Sequence, residues 1–246
     1  MKSLLKLTFV DLKLLSRNMI AMFFTIIFPI IDLLLFGAMY GNIPTQIYGG
    51  RGSADMLVPG LLASMVIGTT AMLNLPFELV SRRQQGVLRR FRASPLNPAT
   101  VLIAQLAGHF LLAILSSLLL VIVGRIFLKA ALPNNWLLLV AAFLLGSLSM
   151  SAIGFLLAGS IHNINTARAV CMVVFFPMMF ISGGTMPISM MPESIQSMSA
   201  FLPLTHVVNL VRSAYLDSAW NLPAALILAV LLVACAAISF RVFRWE

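Results

Sequence analysis

The sequence predicts an all-α integral membrane protein. It has six transmembrane helices, an N-terminal interfacial amphipathic helix, a helix-bearing cytoplasmic loop between spans two and three, and a re-entrant helical hairpin between spans five and six. Three observations predict this class. Of 246 residues, 61% are hydrophobic and only 9% are charged, against about 25% charged in a soluble domain; the mean hydropathy is +1.03. The apolar residues form six runs of about 20 residues, the length that crosses hydrocarbon. The basic residues gather at the ends of those runs, so the net charge of +9 reports topology rather than a nucleic-acid ligand. Cys171 and Cys235 both fall inside apolar runs, and no disulfide framework is expected.

Residues 1–18 come first. At about 100° per residue, Lys2, Lys6, Lys13 and Arg17 share an arc of about 60°, with Leu4, Leu5, Leu12 and Leu15 opposite. That pattern suits a helix lying in the inner interface with its cations toward anionic head groups. The first apolar run is long enough to span and has no clear cleavage site, so it is expected as a retained helix rather than a signal peptide. The six runs lie at about 19–40, 56–77, 99–127, 135–158, 168–183 and 223–241.

Between the second and third runs, residues 78–98 are expected as a structured cytoplasmic loop. Residues 82–92 carry five arginines, Arg82, Arg83, Arg89, Arg90 and Arg92. A guanidinium in hydrocarbon costs roughly 2.5–3.5 kcal/mol even on lenient scales. Arg82, Val87, Leu88 and Phe91 suit a short helix packed against a partner, with Pro95 and Pro98 stopping it. Glu78, four residues before Arg82, pairs with it on one helical turn. Such a loop is where a soluble partner pushes on a membrane protein.

After the fifth run, residues 182–217 are semi-polar and broken by Pro187, Pro192 and Pro203. Pro192-Glu193 opens a short helix with the stripe Ile195, Met198, Leu202, and Pro203 ends it; a second helix is expected from about Thr205 to Tyr215. Short broken pieces at this depth read as a re-entrant hairpin on the outer side, shielded by protein. With both termini inside, twelve Lys and Arg face the cytoplasm and four face out. That bias supports an even number of spans.

The missing chemistry narrows the function. No phosphate loop surrounds any of the four lysines, at 2, 6, 13 and 129, and neither His-Glu-x-x-His nor Gly-x-Ser-x-Gly occurs. The three histidines, His109, His162 and His206, are far apart, so neither catalysis nor a metal site is expected of this chain. Two ionisable groups inside runs, Asp32 and His109, are candidate pathway contacts, or else interface residues bonded to a hydroxyl or a carbonyl freed by a kink. Met190, Met191 and the phenylalanines from 175 to 180 suit either a greasy pathway or a lipid-facing surface.

Two motifs now carry a resemblance. Arg83-Gln-Gln-Gly86-Val-Leu-Arg-Arg-Phe-Arg-Ala-Ser-Pro95-Leu resembles the loop between spans two and three of type-2 ABC transporter permeases, mostly exporters. Ser182-Gly183, Pro187, Met191-Pro192, Ile195-Gln196 and Pro203-Leu-Thr-His-Val, followed by Arg212, resemble that family's hairpin before the last span. The likeness covers essentially the whole chain and makes residues 1–246 one permease domain. One departure stands out: acids usually precede the loop glycine, whereas Arg82, Gln84 and Gln85 stand here and Glu78 is the only nearby acid.

The resemblance implies a coupling helix at 78–98 bound by a separate cytoplasmic ABC ATPase, which would hold ATP and Mg. Glu78, Arg82, Arg83, Gly86, Leu88, Arg89, Arg90 and Pro95 would form the coupling surface. Asp32, His109, Gly183, Pro187, Pro192, Pro203 and Arg212 are candidate pathway or gating residues. A second permease copy, as homodimer or heterodimer, would complete the pathway in the plasma membrane. Sparse charge within the runs favours a hydrophobic or amphipathic drug, antibiotic or lipid as cargo, with a polysaccharide second. The alternatives are a proton-coupled secondary transporter using Asp32 or His109, and a non-transporting scaffold.

Overall fold

A computed structural model of the chain describes residues 2–44, 50–87 and 98–242. These form helix α1 (Lys2–Arg17), α2 (Met19–Tyr40), α3 (Ser53–Gln84), α4 (Pro98–Leu128), α5 (Trp136–Ser160), α6 (Ile164–Ile181), α7 (Glu193–Ser199), α8 (Pro203–Arg212, continued by Ser213–Asp217) and α9 (Leu222–Val242). Six of them, α2 to α6 and α9, are long and apolar enough to cross a membrane. The chain is a multi-pass, all-helical membrane protein.

Asparagine sets where many of these helices begin. Asn18 accepts a hydrogen bond from the Ala21 amide at 3.2 Å, Asn135 from Leu138 at 3.1 Å, Asn163 from Asn165 at 2.8 Å and Asn221 from Ala224 at 3.2 Å. Each takes up an amide that the first helical turn leaves without a partner. Asn163 starts α6 earlier than the apolar run alone indicated, at Ile164 instead of about residue 168.

α3 is the axle of the bundle. Its apolar window is 94% buried, against 22% for α2 and 17% for α9. Small and hydroxyl residues (Gly60, Ser64, Gly68, Thr69, Thr70) let neighbours approach closely. Two wide π turns, Leu62–Ile67 and Thr70–Asn74, interrupt its regular winding. Ser64 donates to the Gly60 carbonyl at 2.8 Å, Thr69 to Met65 at 2.6 Å and Thr70 to Val66 at 2.6 Å. These hydroxyls bond carbonyls at and just before the wide turns. Around this axle α5 packs against α3, α8 and α9, while α4 packs against α1 and α2.

Two expectations need correction here. The second span does not stop near residue 77: α3 runs to Gln84, so Glu78, Arg82 and Arg83 belong to a buried helix end rather than to a loop. Pro203 does not merely end a helix; α7 is already over at Ser199, and Pro203 opens α8 as its first residue. Proline needs no amide at that position, which is why it fits there. Pro98 likewise begins α4.

Candidate functional site

At the Gly86 end of the bundle the last turn of α3 meets α1, α4 and the α5–α6 junction. Its polar side chains are tied to all three. Arg82 donates to Asp11 Oδ1 of α1 at 2.6 Å and also to Glu78, one turn back on α3. All three side chains are largely buried, so the guanidinium holds two carboxylates in a setting of low dielectric. On the other side of Glu78, its Oε2 lies 3.3 Å from His109 Nε2 on α4. The His109 Nδ1 donates to the Gln105 carbonyl at 3.0 Å, since a carbonyl only accepts. A hydrogen bond between Nε2 and Glu78 therefore needs one further proton, on the ring or on the carboxyl.

Arg83 points the other way. It donates to the Ala158 carbonyl at 2.6 Å and to the Ile161 carbonyl. Those are the free carbonyls at the end of α5, and the guanidinium is the cation that suits a helix C-terminus. Gln84 adds a bond from the Ile164 amide to its Oε1 at 3.3 Å. Beyond this, Gly86 turns the chain at φ +69°, a conformation glycine adopts without strain.

The Glu78–Arg82 pair expected from their spacing is thus present, and His109 joins it. Asp11 is the residue that sequence reasoning missed. On α1 the buried stripe is Thr8, Asp11 and Leu15, with Asp11 and Leu15 against Gly108 of α4 and with Lys6, Lys13 and Arg17 exposed. An acid on the apolar side of an otherwise basic helix was the available signal. Leu88, Arg89, Arg90 and Pro95 lie outside the described residues.

The hairpin end holds a second arrangement. Arg212 of α8 donates to the Gly183 carbonyl at 2.7 Å. Loss of hydration lowers the Arg212 guanidinium to about 10, which leaves it cationic at neutral pH. Gly183 adopts φ +81°, which turns the chain back at the end of α6. Gly184 then lies directly on α3: a β-carbon at Gly60 would strike the Gly184 carbonyl, and one at Gly184 would strike Ser64. The structure therefore brings Gly183 and Arg212 together over the axle. Pro187 and Pro192 instead cap a 3-10 turn (Ile188–Met190) and α7, in the exposed arm of the hairpin.

Asp32 is bonded to none of these groups. It sits half-buried on α2, and its Oδ2 has no hydrogen-bond partner among the described residues. His109 also faces a small cleft between α3, α4 and α5 whose other polar lining is Thr70, Ser147 and Ser151.

Six spanning helices, tied together at one end by buried charged side chains, define a multi-pass membrane protein. The chain belongs to the ABC-2 type transporter family, whose model matches residues 3–216. It is similar, at 28% identity over 222 residues, to the transport permease ycf38 of Cyanophora paradoxa, covering 88% of this chain and 74% of that one. It is 27% identical over 208 residues to the transport permease YvfS of Bacillus subtilis (strain 168), covering 84% and 82%. YbhS of Escherichia coli (strain K12), named for multidrug ABC transport, is 25% identical over 195 residues, 78% of this chain and 51% of YbhS. The chain is thus the transmembrane subunit of an ABC transporter.

Proposed function

We propose that this chain is the permease of an ABC exporter that works as a pair of permease chains, driven by a separate cytoplasmic ATPase holding ATP and Mg. In this reading both termini and the Gly86 end face the cytoplasm, as the charge bias favours, in the plasma membrane. α1 lies in the inner interface, residues 78–98 couple to the ATPase, and residues 182–217 form an outer lid.

One observation carries the reading. The final turn of α3 is bonded at once to α1 through Arg82 and Asp11 and to the α5–α6 junction through Arg83. A push on the chain beyond Gly86 would therefore move several spans as one rigid body. The axle of that movement reaches Gly184 and the Arg212–Gly183 contact at the opposite end. Glu78, Arg82 and Arg83 then transmit force from inside the bundle, while Arg89 and Arg90 meet the ATPase. The cargo is a hydrophobic or amphipathic drug, antibiotic or lipid, in keeping with the apolar spans and the likeness to YbhS.

The test is charge reversal at both loop arginines, Arg89→Glu with Arg90→Glu. It should abolish permease-stimulated ATP hydrolysis and transport while membrane insertion stays intact. Normal transport by that double variant would sink the proposal.

A further inference from the structure

α2 carries a pattern that the coupling reading does not use. Phe24, Phe28, Asp32, Phe36 and Tyr40 recur at every fourth residue. At 1.5 Å per residue the series runs about 24 Å along the helix, most of a hydrocarbon core, with the carboxylate at its centre. The Phe24 and Phe28 ring centroids are 5.7 Å apart, and Phe36 and Tyr40 stack at 6.2 Å. The ribbon follows the border of two faces. On one side Thr25, Pro29, Leu33 and Gly37 are buried; on the other Ile27, Ile31, Leu35 and Met39 are exposed.

Asp32 is the only charged residue in α2. Its treatment differs from that of Thr25, the polar residue two turns earlier. Thr25 accepts from Asn74 Nδ2 at 2.7 Å, and its carbonyl accepts from Ser116. Asp32 Oδ2 receives nothing among the described residues. A mid-span acid that stays half-exposed, with one enclosed oxygen unbonded among the described residues, is a candidate contact for something outside the chain. A second copy offers no cation through its own α2, where the charge is another Asp32. Aromatic faces attract a cation within about 6 Å of their centroids, and a carboxylate completes the pairing.

Resting on the permease reading above, we infer that this ribbon is a cargo-contact site, and that the cargo it selects is an amphipathic cation. The positive charge pairs with Asp32, and the apolar body lies along Phe28 and Phe36. Neutral amphiphiles gain only the ring contacts, and anions are turned away.

The experiment uses two probes of the same size and opposite charge, tetraphenylphosphonium and tetraphenylborate, with the full chain in nanodiscs. Wild type should bind the phosphonium more tightly than the borate. Asp32→Asn should weaken phosphonium binding by about tenfold, the order of one lost charge pairing, and leave borate binding equal or stronger. Asp32→Glu should keep the preference, and Phe36→Ala should weaken phosphonium binding severalfold. Asp32→Asn and Asp32→Glu both binding the phosphonium as wild type does, or both losing the two probes equally, would overturn the inference. Uncharged selection by wild type, with ATP hydrolysis still coupled through Arg89 and Arg90, sinks the cation site alone. Charge-selective binding in a chain that couples to no ATPase supports the site and sinks the drive mechanism instead.

Discussion

α2 and α3 are adjacent spans with opposite environments. α3 is 94% buried over its apolar window and α2 22%. On α3 the side chains of Ser64, Thr69, Thr70, Arg82 and Arg83 each find a partner within the protein, on its own carbonyls near residues 60–70 and on Asp11, Ala158 and Ile161 at its end. On α2 the Asp32 carboxylate at mid-span keeps an oxygen with no partner among the described residues. Length and apolarity made both of them spans, but they do not say which one turns inward. The difference lies in residue size: α3 is rich in Gly, Ser and Thr, which admit close neighbours, while α2 presents Phe, Ile, Leu and Met.

The comparison breaks most sharply at Arg82. Arg82→Met would take the shared cation from the buried carboxylates of Asp11 and Glu78, and should cost about 3–5 kcal/mol of stability, read by denaturant unfolding in detergent. The triple variant Arg82→Met, Asp11→Asn, Glu78→Gln should recover most of that loss, because no charge is then stranded. A single variant as stable as wild type would show that the buried cluster does not hold α1 to the axle. A smaller effect is expected at Gly154 of α5. A β-carbon there would strike the Ala71 carbonyl of α3 and lie 3.4 Å from Pro76 Cγ. A backbone carbonyl inside a helix cannot swing aside, so α5 must move off. Gly154→Ala should cost about 1–3 kcal/mol, whereas Ile31→Ala on the exposed face of α2 should stay within about 0.5 kcal/mol in detergent.

Much of this was legible in the sequence, and the rest has identifiable physical causes. The six spans follow from apolar length, and the i,i+4 spacing of Glu78 and Arg82 gave their pair. Pro192-Glu193 announced α7 because proline and an acid both suit a first turn. The cost of a guanidinium in hydrocarbon argues for a loop at Arg82 and Arg83. That argument overlooks burial in protein, where Asp11 and the free carbonyls of α5 supply the partners water would have given. No spacing rule reaches contacts made in three dimensions. Arg212 and Gly183 stand 29 residues apart, and Asp11 and Arg82 stand 71 apart, so neither link was visible in either motif. The wheel for α1 rests on its cations and its leucines, and Asp11 falls among the leucines on the packed side.

A milder test than Arg82→Met concerns how α2 is fastened at all. Thr25 joins it to both neighbours: Asn74 of α3 donates to the hydroxyl at 2.7 Å, and Ser116 of α4 donates to the backbone carbonyl. The wide π turn at Phe23–Ile27 contains this residue, and a carbonyl there is released from the regular ladder to accept from outside. Thr25→Val keeps shape and volume but removes the hydroxyl acceptor. It leaves the Asn74 amide buried and unanswered, while the Ser116 bond to the backbone survives. Interhelical hydrogen bonds between spans are worth about 0.6–2 kcal/mol, so the loss should fall in that range, well below that of Arg82→Met. Its signature should be local: cysteines placed across the α2–α3 contact should cross-link more slowly, and those across α3–α5 at the wild-type rate. Equal slowing at both contacts would mean that α2 is held as firmly as the axle, and the contrast between the two spans would lose its physical basis.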